Sequence, residues 1–400
     1  MSLSLSSDIL AFMAFIAVVA ILIYLDRKKI KREGVMVIRR TQKGKNFIDR
    51  TAKKYPRFWN VFFSVGVIIS IPIMIILVVM LFGSAVDILK GSTQVGAGIV
   101  LPGPTSTPVV LPGLFIIPWW IWIVCIAFLI IPHEFSHGIT CRLHNVRIKS
   151  VGWILLLFIP GAFVEQDDKQ IKKKSSFKKI KIYAAGSFAN IFLAVILLII
   201  LILIGPILFA PSGVFFTQIN NTPAQETNIT GAITEINGVQ IYNNQNIATE
   251  LSKYNPGDKI QLKTVGLKES APVFYSNIAD PAGIIVNPSD IKTYEVALAE
   301  HPDDRSKAYL GISLANIPTY QFLPGTAIFP LYILLFWMFF FSLAIGTVNL
   351  LPAKPLDGGL VYEEIVSKFT KNHKPIVTFT AYLMLLLIII NIIGPYLVNL

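Results

Sequence analysis

Cysteine is nearly missing from this chain: Cys125 and Cys141 are the only two in 400 residues. Two thiols in or beside one apolar stretch exclude a disulfide framework and a cysteine-rich metal site. Charge is also scarce, at 14% of residues, with 23 Asp and Glu against 35 Lys and Arg. Histidine occurs only five times. A chain that is 54% hydrophobic, with a mean hydropathy of +0.64, carries too little polar surface for a soluble protein of this length.

Long apolar runs are what the chain has in quantity. Six stretches reach or approach the roughly 20 residues needed to cross a bilayer core: 9–25, 58–83, 116–141, 181–209, 325–351 and 376–399. The first is short and lacks a basic leading segment and a small-residue cleavage site, so it reads as a retained anchor and not a signal peptide. Residues 26–57 hold 13 Lys and Arg against 3 acids, and residues 142–180 hold 9 against 3. Residues 210–323 invert the balance, with 7 against 11. Basic loops near span ends stay cytoplasmic, which places 26–57, 142–180 and about 352–375 inside and 84–115 and 210–323 outside. The basic runs read as topology signals and contacts with anionic lipid, with no nucleic-acid partner. The expectation is a polytopic α-helical integral membrane protein with about six transmembrane helices in the lipid bilayer.

Four parts follow from the composition. Residues 1–115 form two N-terminal helices with a basic cytoplasmic loop. Residues 116–211 form the first part of a membrane core, 212–323 an inserted extracytoplasmic α+β domain, and 324–400 the second part of the core. Within the insertion, strands are expected at 214–219, 232–236, 239–241 and 259–265, with a helix near 244–252. Residues 266–307 have no clear assignment. The apolar segment 151–164 is too short to span, and Pro160-Gly161 near its middle is a turn signal. Non-helical backbone at membrane depth must be covered by protein or line a cavity. The segment therefore reads as a membrane-associated β-hairpin against a functional site. Its residues Pro160, Gly161, Ala162, Phe163 and Val164 are candidates for binding substrate by strand addition.

At the end of the third apolar run stands His133-Glu134-Phe135-Ser136-His137. On a helix, positions i and i+4 share a face, so both imidazoles can reach one zinc ion while Glu134 serves as general base. A catalytic zinc site normally has three protein ligands. The extended motif that would place a third histidine six residues on is missing, because Leu143 stands there. His144 and Glu165 fit poorly, the first beyond the helix end and the second leaving the hairpin. Asp357 fits better. It lies in Asn349-Leu350-Leu351-Pro352-Ala353-Lys354-Pro355-Leu356-Asp357-Gly358-Gly359, and the charge-derived topology puts it at the same cytoplasmic depth as His137. An acidic residue in a membrane segment is a functional candidate by default.

These residues resemble the site-2 proteases, a family of zinc intramembrane metalloproteases. Pro160-Gly161-Ala162-Phe163-Val164 looks like that family's membrane hairpin, and Ala184-Ala185-Gly186-Ser187-Phe188-Ala189-Asn190 looks like its fourth-span segment. The resemblance covers about 116–400 and is more similar to the archaeal and eukaryotic branch; Ser187 departs from it, standing where proline is common. It implies one Zn²⁺ per chain held by His133, His137 and Asp357, with Glu134 as general base and Asn190 as a donor to the oxyanion. It further implies cleavage of single-span membrane proteins near the cytoplasmic side, in regulated intramembrane proteolysis. Residues 231–241 and 255–258, with Ala308-Tyr309-Leu310-Gly311-Ile312 last, resemble a circularly permuted PDZ domain, which implies binding of a peptide or a new C-terminus. The alternative is a non-enzymatic membrane scaffold or channel in which this domain recruits partners.

Overall fold

A computed structural model describes residues 7–398, apart from 29, 35, 43, 106–108, 112, 157–158, 275–281 and 325–327. The chain divides into two compact units. One holds Met1–Ile196 with Trp337–Leu400, and the other holds Leu197–Phe336.

The first unit opens with α1 (Ser7–Leu25), a hairpin of β1 (Ile30–Glu33) and β2 (Met36–Thr41), α2 (Lys45–Lys54) and α3 (Pro56–Leu89). A small sheet of β3 (Ile99–Gly103), β4 (Val109–Leu111) and β5 (Leu114–Pro118) leads into α4 (Trp119–Leu143). The strands β6 (Ile148–Leu156) and β7 (Ile159–Gln166) follow, then a short α5 (Asp168–Lys172) and α6 (Ser176–Leu208).

The second unit begins inside α6 and contains β8 (Phe209–Gln218), α7 (Pro223–Glu226), β9 (Ala232–Ile236), β10 (Val239–Gln240) and α8 (Asn244–Leu251). It continues through β11 (Lys259–Pro272), β12 (Ala282–Ala297), β13 (Ala299–His301), β14 (Asp304–Tyr309) and β15 (Ile312–Phe322). The chain re-enters the first unit within α9 (Phe329–Val348) and closes with α10 (Asp357–Phe369) and α11 (His373–Leu397).

Among the described residues five helices, α3, α4, α6, α9 and α11, are long and apolar enough to cross a membrane. The expected span at 9–25 corresponds to α1, which is apolar but shorter. The last expected span, 376–399, ends at a residue outside the described set. A helix pairs nearly all of its backbone internally, which is what the hydrocarbon demands, since an unpaired peptide group there costs several kcal/mol; the prolines inside α3, α4, α6 and α11 each remove one such bond.

The 151–164 segment meets the same demand with a sheet. β6 and β7 pair antiparallel, from Ile148↔Gln166 to Leu156↔Ile159. β2 then pairs with the other edge of β6, giving the order β1-β2-β6-β7. The sequence placed the turn at Pro160-Gly161. Both residues instead lie inside β7, opposite Leu155 and Ile154, and the expected Leu157-Phe158 stretch lies outside the described residues. β7 is the edge strand, and a proline there removes no ladder hydrogen bond when its nitrogen faces outward.

Packing locks this sheet to the helices around it. Ile48 and Ala52 of α2, Phe63 of α3, Ile139 and Cys141 of α4, Ile148 of β6, Val164 of β7 and Ile182, Ala185 and Phe188 of α6 share one buried core. Both nitrogens of an Arg142 fork engage the two carboxylate oxygens of Asp49, joining α4 to α2.

In the second unit the sheet order is β10-β9-β11-β12-β15-β8, with β8 also pairing β9. Its core is formed by Val214, Phe216, Ile233, Ile236, Ile247, Leu262, Val296 and Leu310 among others. The described residues of the region left unassigned by sequence form the second half of β11, all of β12 and β13 and most of β14.

Candidate metal centre

Three elements of the first unit meet at one point. α4 supplies His133 and His137, one turn apart and both buried. The third group comes from the break between α9 and α10. After Val348 the chain leaves the helix, passes Pro352 and Pro355, and restarts at Asp357, the first residue of α10. The N–H of Gly358 donates to the Asn349 carbonyl at 2.7 Å. A Cβ on Gly358 would overlap the carbonyls of Leu350 and Leu351. Only a bare α-carbon lets the first turn of α10 press against the loop before it, which is how Asp357 reaches the histidines.

The Nε2 atoms of His133 and His137 are 3.3 Å apart. Asp357 Oδ2 lies 3.4 Å from each of them. The three donors thus form a nearly equilateral triangle. Ligands about 2.0–2.1 Å from a tetrahedral zinc are about 3.3–3.4 Å from one another, so the triangle has the edge length of a zinc site. These three residues are the described group of His, Cys, Asp and Glu whose ligand atoms can share one ion.

The space beside the triangle is kept clear by α6. A Cβ on Gly186 would fall 2.6 Å from His133 Nε2 and closer still to His137 Nε2. Glycine leaves a cradle against the metal-facing nitrogens that any other residue would fill. Two imidazoles and a carboxylate are a donor set that suits zinc. The residues present therefore fit the ion on spacing, on room and on chemistry.

Around the donors, further contacts fix their aim. His137 Nδ1 lies 2.8 Å from the Ile182 carbonyl. A proton on Nδ1 donates there and leaves Nε2 for the metal, the usual arrangement for a ligand histidine. Ser187 Oγ donates to Asp357 Oδ2 at 2.8 Å. Asn190, expected from the resemblance to face an oxyanion, is fully buried. Its Nδ2 lies 3.4 Å from His133 Nδ1, on the side of the ring turned away from the triangle. Glu134 Oε2 accepts the backbone N–H of Val164 at 2.8 Å, which ties it to the hairpin.

The two other residues considered as third ligands are elsewhere. Glu165 accepts a hydrogen bond from Ser150 at 2.5 Å and faces Arg40. His144 caps the C-terminus of α4. Burial, aided by Lys181, Lys178 and Lys174, holds its imidazole neutral down to about 4. Sequence reasoning missed the roles of Ile182, Ser187 and the Val164 N–H. Two of these act through backbone, which no side-chain pattern announces.

An uncharacterized protein of Methanocaldococcus jannaschii is 29% identical over 328 residues, covering 81% of this chain and 76% of its own. A protein of Clostridium perfringens named as a candidate zinc metalloprotease is 25% identical over 276 residues, covering 60% of this chain and 81% of its own. The sequence profile of peptidase family M50 matches residues 121–392, a span that contains every residue of the triangle. With its five membrane-length helices and its His133-His137-Asp357 centre, this chain is a multi-pass membrane metalloprotease and belongs to peptidase family M50.

Proposed function

We propose that this protein is a zinc-dependent intramembrane endopeptidase that cuts the transmembrane segments of single-span membrane proteins. The observation that carries the reading is the donor triangle, two buried histidines and a half-buried aspartate, which lies on one span, α4, and on the residues after another, α9. Bound there, one zinc ion per chain supplies a Lewis acid that polarises a carbonyl and activates water at neutral pH. His133, His137 and Asp357 hold it. Glu134 takes the proton from the attacking water and returns it to the leaving amine.

An amide inside a helix is shielded by its own hydrogen bonds, so the substrate must unwind before it is cut. The outer edge of β7 is suited to receive the unwound strand. Val164 directs its N–H away from β6, toward Glu134. In an antiparallel ladder, residues two apart point the same way, so Ala162 faces outward too. Pro160, at the next such position, has no N–H to offer. An incoming strand paired at Ala162 would run alongside Gly161, Phe163 and Val164 and end beside Glu134.

The excess of basic residues in 26–57 and 142–180 supports an active site near the cytoplasmic side. The acidic balance of 210–323 supports an extracytoplasmic place for the inserted domain. There a PDZ-like groove would meet a peptide or a freshly exposed C-terminus, coupling an earlier cut to this one in regulated intramembrane proteolysis. Gly311, at φ 79°, enters β15 where such a carboxylate loop would stand.

The test compares wild type with Glu134→Gln on a purified single-span substrate in detergent, with zinc content measured for both. The reading expects cleavage by wild type and a loss of about 10²–10⁴-fold in the variant, with zinc retained. Equal cleavage by both, or none by zinc-loaded wild type on any single-span substrate, contradicts it.

A further inference from the structure

Every donor of the triangle is backed by the same face of α6. The Ile182 carbonyl meets His137 Nδ1, the Gly186 backbone and the Asn190 amide meet His133, and the Ser187 hydroxyl meets Asp357. Two of these contacts are main-chain and come with the helix. Ser187 is different, because its contact depends on a side chain and on a choice that side chain makes.

A serine or threonine within a helix has a local partner available, the carbonyl four residues back. At four helical positions that option is taken, whereas Ser342 of α9 donates across to the Asn190 carbonyl. Ser64 donates to Asn60, Thr140 to Ser136, Thr347 to Leu343 and Thr380 to Ile376. Ser187 is fully buried in α6, and its hydroxyl is directed instead to a carboxylate 170 residues away.

Asp357 needs such a partner more than the histidines do. It stands at the restart of a helix after an irregular segment, so it is not carried on the same continuous span as the two histidines. Its Oδ2 faces both Nε2 atoms, and the Ser187 hydroxyl is the donor, other than those imidazoles, that reaches its carboxylate among the described residues. A hydrogen bond to a ligating carboxylate fixes its rotation and saturates one lone pair, leaving another directed at the metal.

We propose that Ser187 is a positioning residue that aims the Asp357 carboxylate at the metal, and that α6 serves as the template for the whole ligand set. This inference rests on the zinc reading given above. The opposing view is that Ser187 only satisfies its own hydroxyl between packed helices.

The experiment measures zinc affinity by chelator competition, in detergent, for wild type, Ser187→Ala and Ser187→Thr. Thermal unfolding of the metal-free forms is followed in parallel. Ser187→Ala is expected to bind zinc about 10–100-fold more weakly, the usual cost of losing an outer contact to a ligand, with unfolding of the metal-free protein unchanged. Ser187→Thr keeps the hydroxyl and is expected to recover most of the affinity. Should its extra methyl group disturb folding, the visible spectrum of the Co²⁺-loaded Ser187→Ala protein gives a second readout. A changed ligand field then supports the proposal, and a spectrum identical to wild type opposes it. Zinc binding by Ser187→Ala as tight as wild type overturns the inference while leaving the metal site intact. A fall in affinity accompanied by a less stable metal-free protein assigns Ser187 to packing and also overturns it. Failure of wild type itself to bind zinc removes the underlying reading, a distinct outcome.

Discussion

The backbone N–H of Val164 donates to Glu134 Oε2 across 2.8 Å. The residue placed to move protons is therefore held by β7 and not by the helix that carries it. Strand and general base are mechanically joined, so whatever occupies the edge of β7 is registered against Glu134. Val164→Pro removes that donor at an outward-facing position of an edge strand, where proline is tolerated. We expect kcat to fall about 10–100-fold, the effect of misaligning a catalytic group, with zinc content unchanged. Val164→Ala retains the N–H and controls for lost packing; a similar loss in both variants would contradict the role given to the N–H.

Gly186→Ala tests the cradle. The added Cβ would press on both Nε2 atoms, and alanine suits a helix better than glycine by about 1 kcal/mol. Crowding against the buried imidazoles offsets that gain by about 1–3 kcal/mol, so the protein should still fold and yet bind zinc at least about 100-fold more weakly, because two of the three candidate ligands are displaced. Elemental analysis and a thermal melt of the same sample read both quantities. Full zinc occupancy in the variant would mean that the ion binds elsewhere.

That His133, His137 and Asp357 come together was legible in the sequence because residues able to bind a metal are chemically rare here. Five histidines in 400 residues leave few pairings, and an aspartate after an apolar run stands out. What surrounds the ligands was not legible. Ser187 in a small-residue stretch of α6 looks like helix packing until Asp357 is seen opposite it. The β1–β2 hairpin was hidden in a basic segment whose charge reads as topology, although β2 pairs six residues with β6. The turn of the β6–β7 hairpin was misplaced because proline signals a turn by composition, whereas an edge strand accepts it for want of a needed N–H.

Asn190 separates two roles that sequence alone could not. Its amide lies behind His133 at 3.4 Å from Nδ1. Replacement by Leu is expected to weaken zinc binding about 10-fold, with the fully loaded enzyme losing less than that in kcat. A donor to the oxyanion would behave in the opposite way, losing about 10²–10³ in kcat at unchanged affinity. Parallel measurement of zinc affinity and of kcat at saturating zinc distinguishes the two patterns.

His144 gives a pH dependence with a definite sign. Its folded pKa lies at about 4, below the ordinary 6.5, through burial first and then the charges of Lys181, Lys178 and Lys174. Its Nε2 has no hydrogen-bond partner among the described residues. Between these two pH values the unfolded chain binds the proton that the folded one refuses, so stability rises with pH across that window. The contribution is fully present above about pH 6.5 and is lost as the pH falls toward 4. Thermal melts of metal-free protein at pH 7 and pH 4.5 should show a larger drop in Tm for wild type than for His144→Gln. Equal drops would show that His144 titrates normally.

The central claim is that a pair of histidines on α4 is completed by an aspartate about 220 residues further on. Zinc bound per chain, measured for wild type and Asp357→Ala after the same chelator wash, tests it most directly. The account predicts one zinc per wild-type chain and little or none in the variant. Retention of zinc by Asp357→Ala at the wild-type level would contradict it.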